Sequence, residues 1–258
     1  MTTALRHSWY MTVRHLRALW RQPAWIVVTL IQPIIWLLLY GALFKKVVEI
    51  PGFHGGSYIE FLTPGVIVMT AFFGAGWSGM PVIDDIERGV VDRLLISPAK
   101  RASLVTGRII QGAIGVAVQS VIIVVLALIV GASFRNGVGG VALMILLAVL
   151  LAAAVTAWSY GVALHVRKEE TLIALMQFLL LPLTFMSGAF MQLSLVPAWI
   201  RHIADFNPLN WAVEAGRSAA MEKTDWGFVA SRTGFLLALL ALMLAFATRA
   251  FRVYQRTV

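Results

Sequence analysis

The sequence contains no cysteine, and charged residues make up only 13% of its 258 residues. The absence of cysteine excludes disulfides, thiolate metal sites and cysteine nucleophiles. The scarcity of charge excludes an ordinary soluble domain, in which about one quarter of the residues are charged. Hydrophobic residues make up 60% of the chain, and the mean hydropathy is +0.84. The composition therefore indicates an integral membrane protein.

Long apolar runs occupy most of the chain. A helix rises 1.5 Å per residue, so about 20 apolar residues cross the roughly 30 Å hydrocarbon core of a bilayer. No repeat or low-complexity linker separates the runs, which favours a single domain over 1–258. The sequence predicts an all-α integral membrane protein with six transmembrane helices. Their approximate bounds are 24–44, 61–83, 104–130, 139–164, 171–191 and 233–250.

The sequence lacks the residues that usually couple transport to an ion gradient or to ATP. Arg108 and Arg249 fall near span ends, and no ionisable side chain lies near the middle of a span. This disfavours ion coupling, although polar residues such as Gln119, Ser120 and Gln177 could bind Na⁺. No glycine is followed by lysine, which excludes the GxxxxGK[ST] loop that cradles ATP phosphates. If ATP is the energy source, another chain hydrolyses it.

The distribution of Lys and Arg between the spans predicts the orientation of the chain, because cytoplasmic loops are enriched in positive charge. The side that holds both termini carries Arg6, Arg14, Arg17, Arg21, Arg88, Arg93, Lys100, Arg101, Arg108, Arg167, Lys168, Arg249, Arg252 and Arg256. The other side carries only Lys45, Lys46, Arg135, Arg201, Arg217, Lys223 and Arg232. We therefore expect a multi-pass protein of the cell membrane with cytoplasmic termini. The net charge of +9 is mainly a topology signal, and no nucleic-acid partner is expected.

The first 22 residues form a separate amphipathic segment. Their apolar stripe recurs at helical spacing and consists of Leu5, Trp9, Val13, Leu16 and Trp20. Arg14, Arg17 and Arg21 fall off this stripe, and Pro23 separates the segment from the first span. The pattern predicts an interfacial helix over 1–22 that lies against membrane lipid. Whether the helix also contacts a cytoplasmic partner stays open.

A charged segment, 84–101, follows the second predicted span. The apolar spacing of that span continues through Ile86, Val90 and Leu94, which predicts a helix running on into the cytoplasm. Ser97 and Pro98 end it, because the residue before proline is disfavoured in helical geometry. A solvated helical hairpin would explain the charges. It would also leave Leu94, Leu95 and Ile96 exposed to water, which favours a surface covered by another chain.

Two segments resemble the permease subunits of type 2 ABC exporters. ERGVVDRLLISPAKR, residues 87–101, resembles their E-R-G-x-x-[ED]-x-L-L-x-[ST]-P loop, with Val90 where the family often has Thr. FMSGAFMQLSLVPAWIRHIADFNPLNWAVEAGR, residues 185–217, resembles their [FL]-x-S-G-x-F segment, which is followed by a Pro-Trp pair and N-P-L-x-[YW]-x-V-[ED]-x-x-R. Both motifs occur in the family's order and on opposite predicted sides of the membrane. The resemblance covers almost the whole chain.

The resemblance implies roles for both segments. In the family, the first forms a coupling helix that docks into a separate nucleotide-binding subunit, and the second contributes short re-entrant helices in the outer leaflet. The implied ATPase-coupling residues are Glu87, Arg88, Gly89, Asp92, Arg93, Leu94, Leu95, Ile96, Ser97 and Pro98. The implied outer re-entrant motif, within 192–230, is Pro197, Trp199, Asn207, Pro208, Glu214 and Arg217.

Two further expectations concern the outer half of the chain. Glu214 and Arg217 are three residues apart and could pair on one helical face, more readily as a structural pair than as a substrate contact. Phe178, Phe185 and Met186 are candidate substrate contacts, because aromatic and Met side chains suit varied apolar ligands. A lipid-facing or helix-packing role is favoured for each residue taken singly.

The resemblance implies a permease that is not itself catalytic and that exports an apolar or amphipathic cargo such as a drug, lipid or glycolipid. ATP and Mg²⁺ would bind to an ATPase partner, and this chain would hold no cofactor or metal. A second permease, identical or related, would complete the translocation path. A secondary transporter or channel without an ATPase, or a non-transporting membrane scaffold, remains an alternative.

Overall fold

The computed structural model describes residues 31–51, 57–89, 102–220 and 224–255, with the backbone alone over 102–105. Every regular element within these ranges is a helix, which confirms the all-α prediction. The helices are α1 Ile31–Leu43, α2 Tyr58–Glu87, α3 Ala102–Ile129, α4 Gly137–Val166, α5 Glu169–Phe185, α6 Ala198–Phe206, α7 Pro208–Ala220 and α8 Trp226–Tyr254. The predicted interfacial helix over 1–22 lies outside the described residues.

Four helices in the described part of the chain are long and apolar enough to cross a membrane: α2, α3, α4 and α8. The first predicted span, 24–44, is described only from residue 31. The fifth, 171–191, corresponds to α5, whose 17 residues end at Phe185 rather than at 191. That length falls short of the roughly 20 residues of a typical span. The six-span topology therefore stays a prediction.

The centre of the fold is α4, which packs against α2, α3, α7 and α8. Its middle is rich in buried alanine, including Ala148, Ala152 and Ala157. Small residues let neighbouring helices approach closely, which is how membrane helices gain van der Waals contact. At Gly161, a Cβ would overlap the ring of Phe246 in α8. Small side chains therefore place four helices around α4.

At a break inside α2, backbone groups form hydrogen bonds with a side chain of α4. The helix narrows to a 3₁₀ turn over Trp77–Gly79, which disturbs the regular backbone hydrogen bonds. Ser159 of α4 donates its hydroxyl to the Gly76 carbonyl at 2.5 Å and accepts the Gly79 N–H at 3.0 Å. This one buried side chain joins the two helices at the point where α2 departs from α-helical geometry.

The end of α2 differs from the sequence prediction. The α-helical backbone stops at Glu87, and Gly89 takes a left-handed φ of +63°. A left-handed glycine is a common helix terminator because glycine has no Cβ to clash. The helix predicted to run from the second span to Leu94 is therefore broken at Gly89. Apolar periodicity continues through a glycine and does not reveal such a turn.

Candidate functional site

Two short helices occupy the region predicted to be re-entrant. Pro197 precedes α6, and Asn207 stands between α6 and α7, where the sequence predicted a break. Pro208 opens α7, as suits a first helical position that needs no N–H donor. Trp199 lies on α6 and is largely exposed. The two helices and the break agree with the prediction, while their re-entrant, outer location is still untested.

Asn207 joins three parts of this region. Its side-chain amide donates to the carbonyls of Leu183 at 2.6 Å and Met186 at 3.0 Å, at the end of α5. Its side-chain oxygen accepts the Leu209 N–H at 3.0 Å, which caps the start of α7. Helix ends leave unpaired carbonyls and N–H groups, and Asn207 satisfies both kinds at once. The side chain therefore connects the end of α5 to the start of α7.

Asn210 plays a similar part, which the sequence did not reveal. Its amide donates to the Ala204 carbonyl at 3.1 Å and to the Glu214 carboxylate at 3.2 Å. Its oxygen accepts the Gly188 N–H at 2.8 Å. Asn210 is fully buried. The second asparagine of the N-P-L-N segment was the available signal, but the contact with Gly188 spans 22 residues of sequence, which no local pattern reveals.

Arg217 is a half-buried charge of the region. Its Nη2 donates to the carbonyls of Gly188 at 2.9 Å and Phe61 at 3.1 Å, and its guanidinium lies 3.6 Å from the centre of the Phe61 ring. Burial lowers the pKa of Arg217 to about 10, although Glu214 opposes the shift. The arginine thus ties α7 to α2 and to the loop after α5.

The predicted pairing of Glu214 with Arg217 takes a weaker form. Arg217 directs its donors to backbone carbonyls, while Glu214 accepts from Asn210. Burial raises the pKa of Glu214, and the charge of Arg217 opposes that rise. The two side chains interact through their charges without the hydrogen-bonded ion pair that their spacing suggested. Their setting within the protein favours a structural role over a substrate contact.

Gly65 allows the loop after α5 to lie directly on α2. A Cβ at this position would overlap the backbone carbonyl of Ala189. Ala189 is fully buried at this contact. Backbone cannot yield as a flexible side chain can, so the close approach depends on glycine.

A Gly65→Ala variant is therefore expected to destabilise the protein by about 1–3 kcal/mol, the usual cost of overpacking. Gly74→Ala, on the same helix, is the matched control, because a Cβ there meets nothing within 4 Å. Alanine has a higher helix propensity than glycine, so Gly74→Ala should leave the free energy of unfolding unchanged or raise it by up to about 1 kcal/mol. Unfolding by SDS in mixed micelles measures the free energy of unfolding of both variants. Equal stability of the two would contradict the close contact between Gly65 and Ala189.

An aromatic cluster connects α1 with this region. Phe190 lies 5.4 Å from Trp36 and 5.6 Å from Tyr40, measured between ring centres. The hydroxyl of Tyr58 donates to the Phe190 carbonyl at 3.0 Å. Phe185 stacks on the other side of Phe190 at 5.9 Å. The cluster packs α1, α2 and the end of α5 together.

The candidate substrate residues separate into two kinds. Phe178 and Phe185 are 76% and 60% exposed and share one face of α5 with Leu181. Met186 is half-buried beyond the end of α5, with its carbonyl bonded to Asn207. Phe190 contacts both Phe185 and Trp36 of α1. The exposed apolar residues of α1 include Ile35 and Leu38. We call these exposed apolar residues of α1 and α5 the α1/α5 face.

The predicted coupling segment, 84–101, is described only over residues 84–89. Arg88 pairs with Asp84 at 2.8 Å, and Glu87 is exposed without an ion pair to a described residue. Asp85 of α2 pairs with Arg108 of α3, which holds together the helices on either side of the segment. The remaining predicted coupling residues, Asp92, Arg93, Leu94, Leu95, Ile96, Ser97 and Pro98, lie outside the described residues.

Comparison with known proteins identifies the family. Residues 6–221 match the ABC-2 type transporter family, a range that includes both motif segments. The chain belongs to the ABC-2 type transporter family. Membership assigns this ABC-2 protein to transport across a membrane rather than to catalysis.

The relatives of this ABC-2 chain are named as permeases. The putative transport permease ycf38 of Porphyra purpurea is 33% identical over 213 residues, covering 82% of this chain and 72% of the relative. The daunorubicin resistance ABC transporter permease protein DrrB1 of Streptomyces coeruleorubidus is 27% identical, covering 84% and 74%. The inner membrane transport permease YadH of Escherichia coli strain K12 is 25% identical, covering 83% and 81%.

Proposed function

We propose that this chain is the membrane-spanning subunit of an ATP-driven exporter and that a separate ATPase subunit supplies the energy. Membership of the ABC-2 family over residues 6–221 is the observation that carries the proposal. The chain has no glycine followed by lysine and so no loop of the GxxxxGK[ST] kind for ATP phosphates. ATP and Mg²⁺ therefore bind in the partner.

The ATPase docks on the segment between α2 and α3. The Asp85–Arg108 ion pair supports this assignment, because it fastens together the two helices that flank the segment. A push on residues 90–101 would then move α2 and α3 as a unit. The termini and this segment face the cytoplasm, in the cell membrane, as the distribution of positive charge predicts.

The cargo is apolar or amphipathic, such as a drug, lipid or glycolipid. One relative is named for daunorubicin resistance, which supports a drug-like cargo. A second permease, identical or related, packs against the α1/α5 face, and the path runs between the two. Exposed aromatic side chains on that face, Phe178 and Phe185, line the path.

The test is transport in vesicles by the chain with and without its ATPase. A P-loop ATPase encoded beside this chain is co-expressed, co-purified and reconstituted with it, and uptake of an amphipathic dye into inside-out vesicles is measured. ATP-dependent uptake that needs both subunits supports the exporter. Uptake by this chain alone, driven by an ion gradient, would establish a secondary transporter. If the chain neither binds an ATPase nor transports the dye, the result would favour a non-transporting membrane scaffold.

Pairing through the α1/α5 face predicts a specific crosslink in the case of identical permeases. The chain has no cysteine, so a single Phe178→Cys variant carries the only thiol. Phe178 lies near the middle of α5, so two-fold pairing centred on this face places it near the axis, where a residue meets its own copy. The variant should then form a disulfide-linked dimer under mild oxidation in membranes. Val118→Cys is the matched control, since Val118 is also exposed but lies on α3. Equal crosslinking of the two variants, read on non-reducing gels, would contradict this interface.

A further inference from the structure

A cavity of about 180 Å³ lies between α4, α5 and α8, and Phe72 of α2 and Pro208 of α7 complete its lining. Ala154 and Trp158 form its α4 wall, Leu183 its α5 wall and Leu239 its α8 wall. Every residue that lines it is apolar. The cavity therefore offers contact surface and no polar partner.

The cavity lies at the depth of the hydrocarbon core. Leu239 is close to the midpoint of α8, and Ala154 is close to the midpoint of α4. Both helices are long and apolar enough to cross a membrane. The middle of a crossing helix lies near the middle of the bilayer, about 15 Å from either interface.

Water is a poor occupant of such a space. A buried water needs two to four polar partners, and an apolar cavity of about 150 Å³ in a soluble protein stays dry and binds benzene-sized molecules. An empty space of this size would forfeit the dispersion contacts of its walls. The cavity is therefore suited to an apolar occupant.

The surroundings favour one particular apolar occupant. Leu179 on the rim is 36% exposed, and Leu239 and Met243 are partly exposed, so the cavity opens between α5 and α8. In a membrane that opening faces acyl chains, which are present at very high local concentration. We propose that the cavity binds one acyl chain of a membrane lipid, inserted between α5 and α8.

This site is separate from the α1/α5 face. Phe178 and Phe185 project from one side of α5, whereas Leu179 and Leu183 line the cavity from the other side, as the 3.6-residue helical period requires. The acyl-chain site therefore does not depend on the proposed cargo path or on an ATPase partner.

Photo-crosslinking of the full-length chain tests the site. The protein is reconstituted in vesicles of phosphatidylcholine that carries a diazirine near the middle of one acyl chain, then illuminated and mapped by mass spectrometry. Adducts are expected on Trp158, Leu183 and Leu239, besides those on exposed positions such as Phe178. Adducts confined to the exposed positions would overturn the proposal.

A cavity-filling variant provides the second arm. Ala154→Leu should reduce adducts at Trp158 and Leu239 by about tenfold, because a filled, close-packed space cannot admit a chain. The control is Ala142→Leu, the same change at an exposed position of α4. Unchanged labelling in Ala154→Leu would overturn the proposal.

Two checks keep the result interpretable. Leu239→Phe fills the cavity from α8 and should give the same loss, so misfolding of Ala154→Leu leaves the proposal testable. Labelling of the same three positions by a photoreactive aromatic drug, but not by the lipid, would overturn the assignment to an acyl chain.

Discussion

Glu87→Arg is expected to reduce the stimulation of the ATPase by this chain about tenfold or more, without affecting membrane insertion. Glu87 is the last residue of α2, is exposed and makes no ion pair with a described residue. Reversing a charge on a docking surface puts like charges together and weakens the right complex. The measurement is ATP hydrolysis by the reconstituted complex, compared with hydrolysis by the ATPase alone.

The matched control is Glu49→Arg, the same charge reversal at an exposed glutamate. Glu49 lies before α2 begins, so the whole length of α2 separates it from Glu87. Hydrolysis should be unaffected by this variant. Unchanged stimulation in Glu87→Arg, with normal insertion shown by membrane fractionation, would remove the assignment of residues 84–101 as the coupling segment.

Arg217→Ala is expected to lower the free energy of unfolding by about 3 kcal/mol, which is the summed loss of several buried hydrogen bonds and the ring contact. The change leaves the carbonyls of Phe61 and Gly188 without the arginine donor. It also removes the positive charge that opposes the raised pKa of Glu214. SDS unfolding in mixed micelles, followed by tryptophan fluorescence, gives the value.

Three further variants distinguish the contribution of the Arg217 hydrogen bonds from that of its charge. Arg217→Lys keeps the charge but lacks the planar fork that reaches two carbonyls, so its loss should be intermediate. Adding Glu214→Gln to Arg217→Ala should recover part of the stability, since it removes a half-buried carboxylate that has lost the opposing charge of Arg217. Arg249→Ala, an exposed arginine of α8, should change stability little. If Arg217→Ala matches Arg249→Ala, the network around Arg217 does not stabilise the fold.

The sequence predicted local features of the region around α6 and α7 well. Asparagine followed by proline ends one helix and starts another for purely local reasons, and the break between α6 and α7 falls there. The spacing of Glu214 and Arg217 placed both on one helical face, yet Arg217 bonds to distant carbonyls instead. Spacing determines which face a residue occupies and does not show which acceptors compete for it.

The helix ends were harder to predict. The fifth span was predicted to reach residue 191 because the sequence stays apolar, but α5 ends at Phe185, where Asn207 caps it from the break between α6 and α7. Apolar spacing also continued past Gly89, which breaks α2 by its left-handed backbone. At α5 the residues beyond the end are as apolar as those within the helix, so hydropathy has no boundary to detect. At α2 the apolar spacing of Ile86, Val90 and Leu94 continues across Gly89, and spacing does not register the backbone conformation of a glycine.

The sequence by itself determined that this is an all-helical membrane protein of the ABC-2 family, because composition, hydrophobic runs and motif residues are properties of the chain alone. The tertiary structure decided that Asn210 and Arg217 join distant backbone groups, that Gly65 must lack a Cβ, and that an apolar cavity opens between α5 and α8. Each of these depends on backbone groups or empty space. Backbone N–H and carbonyl groups recur along the whole chain, and empty space has no residue to mark it, so only the packing of the helices specifies where they meet.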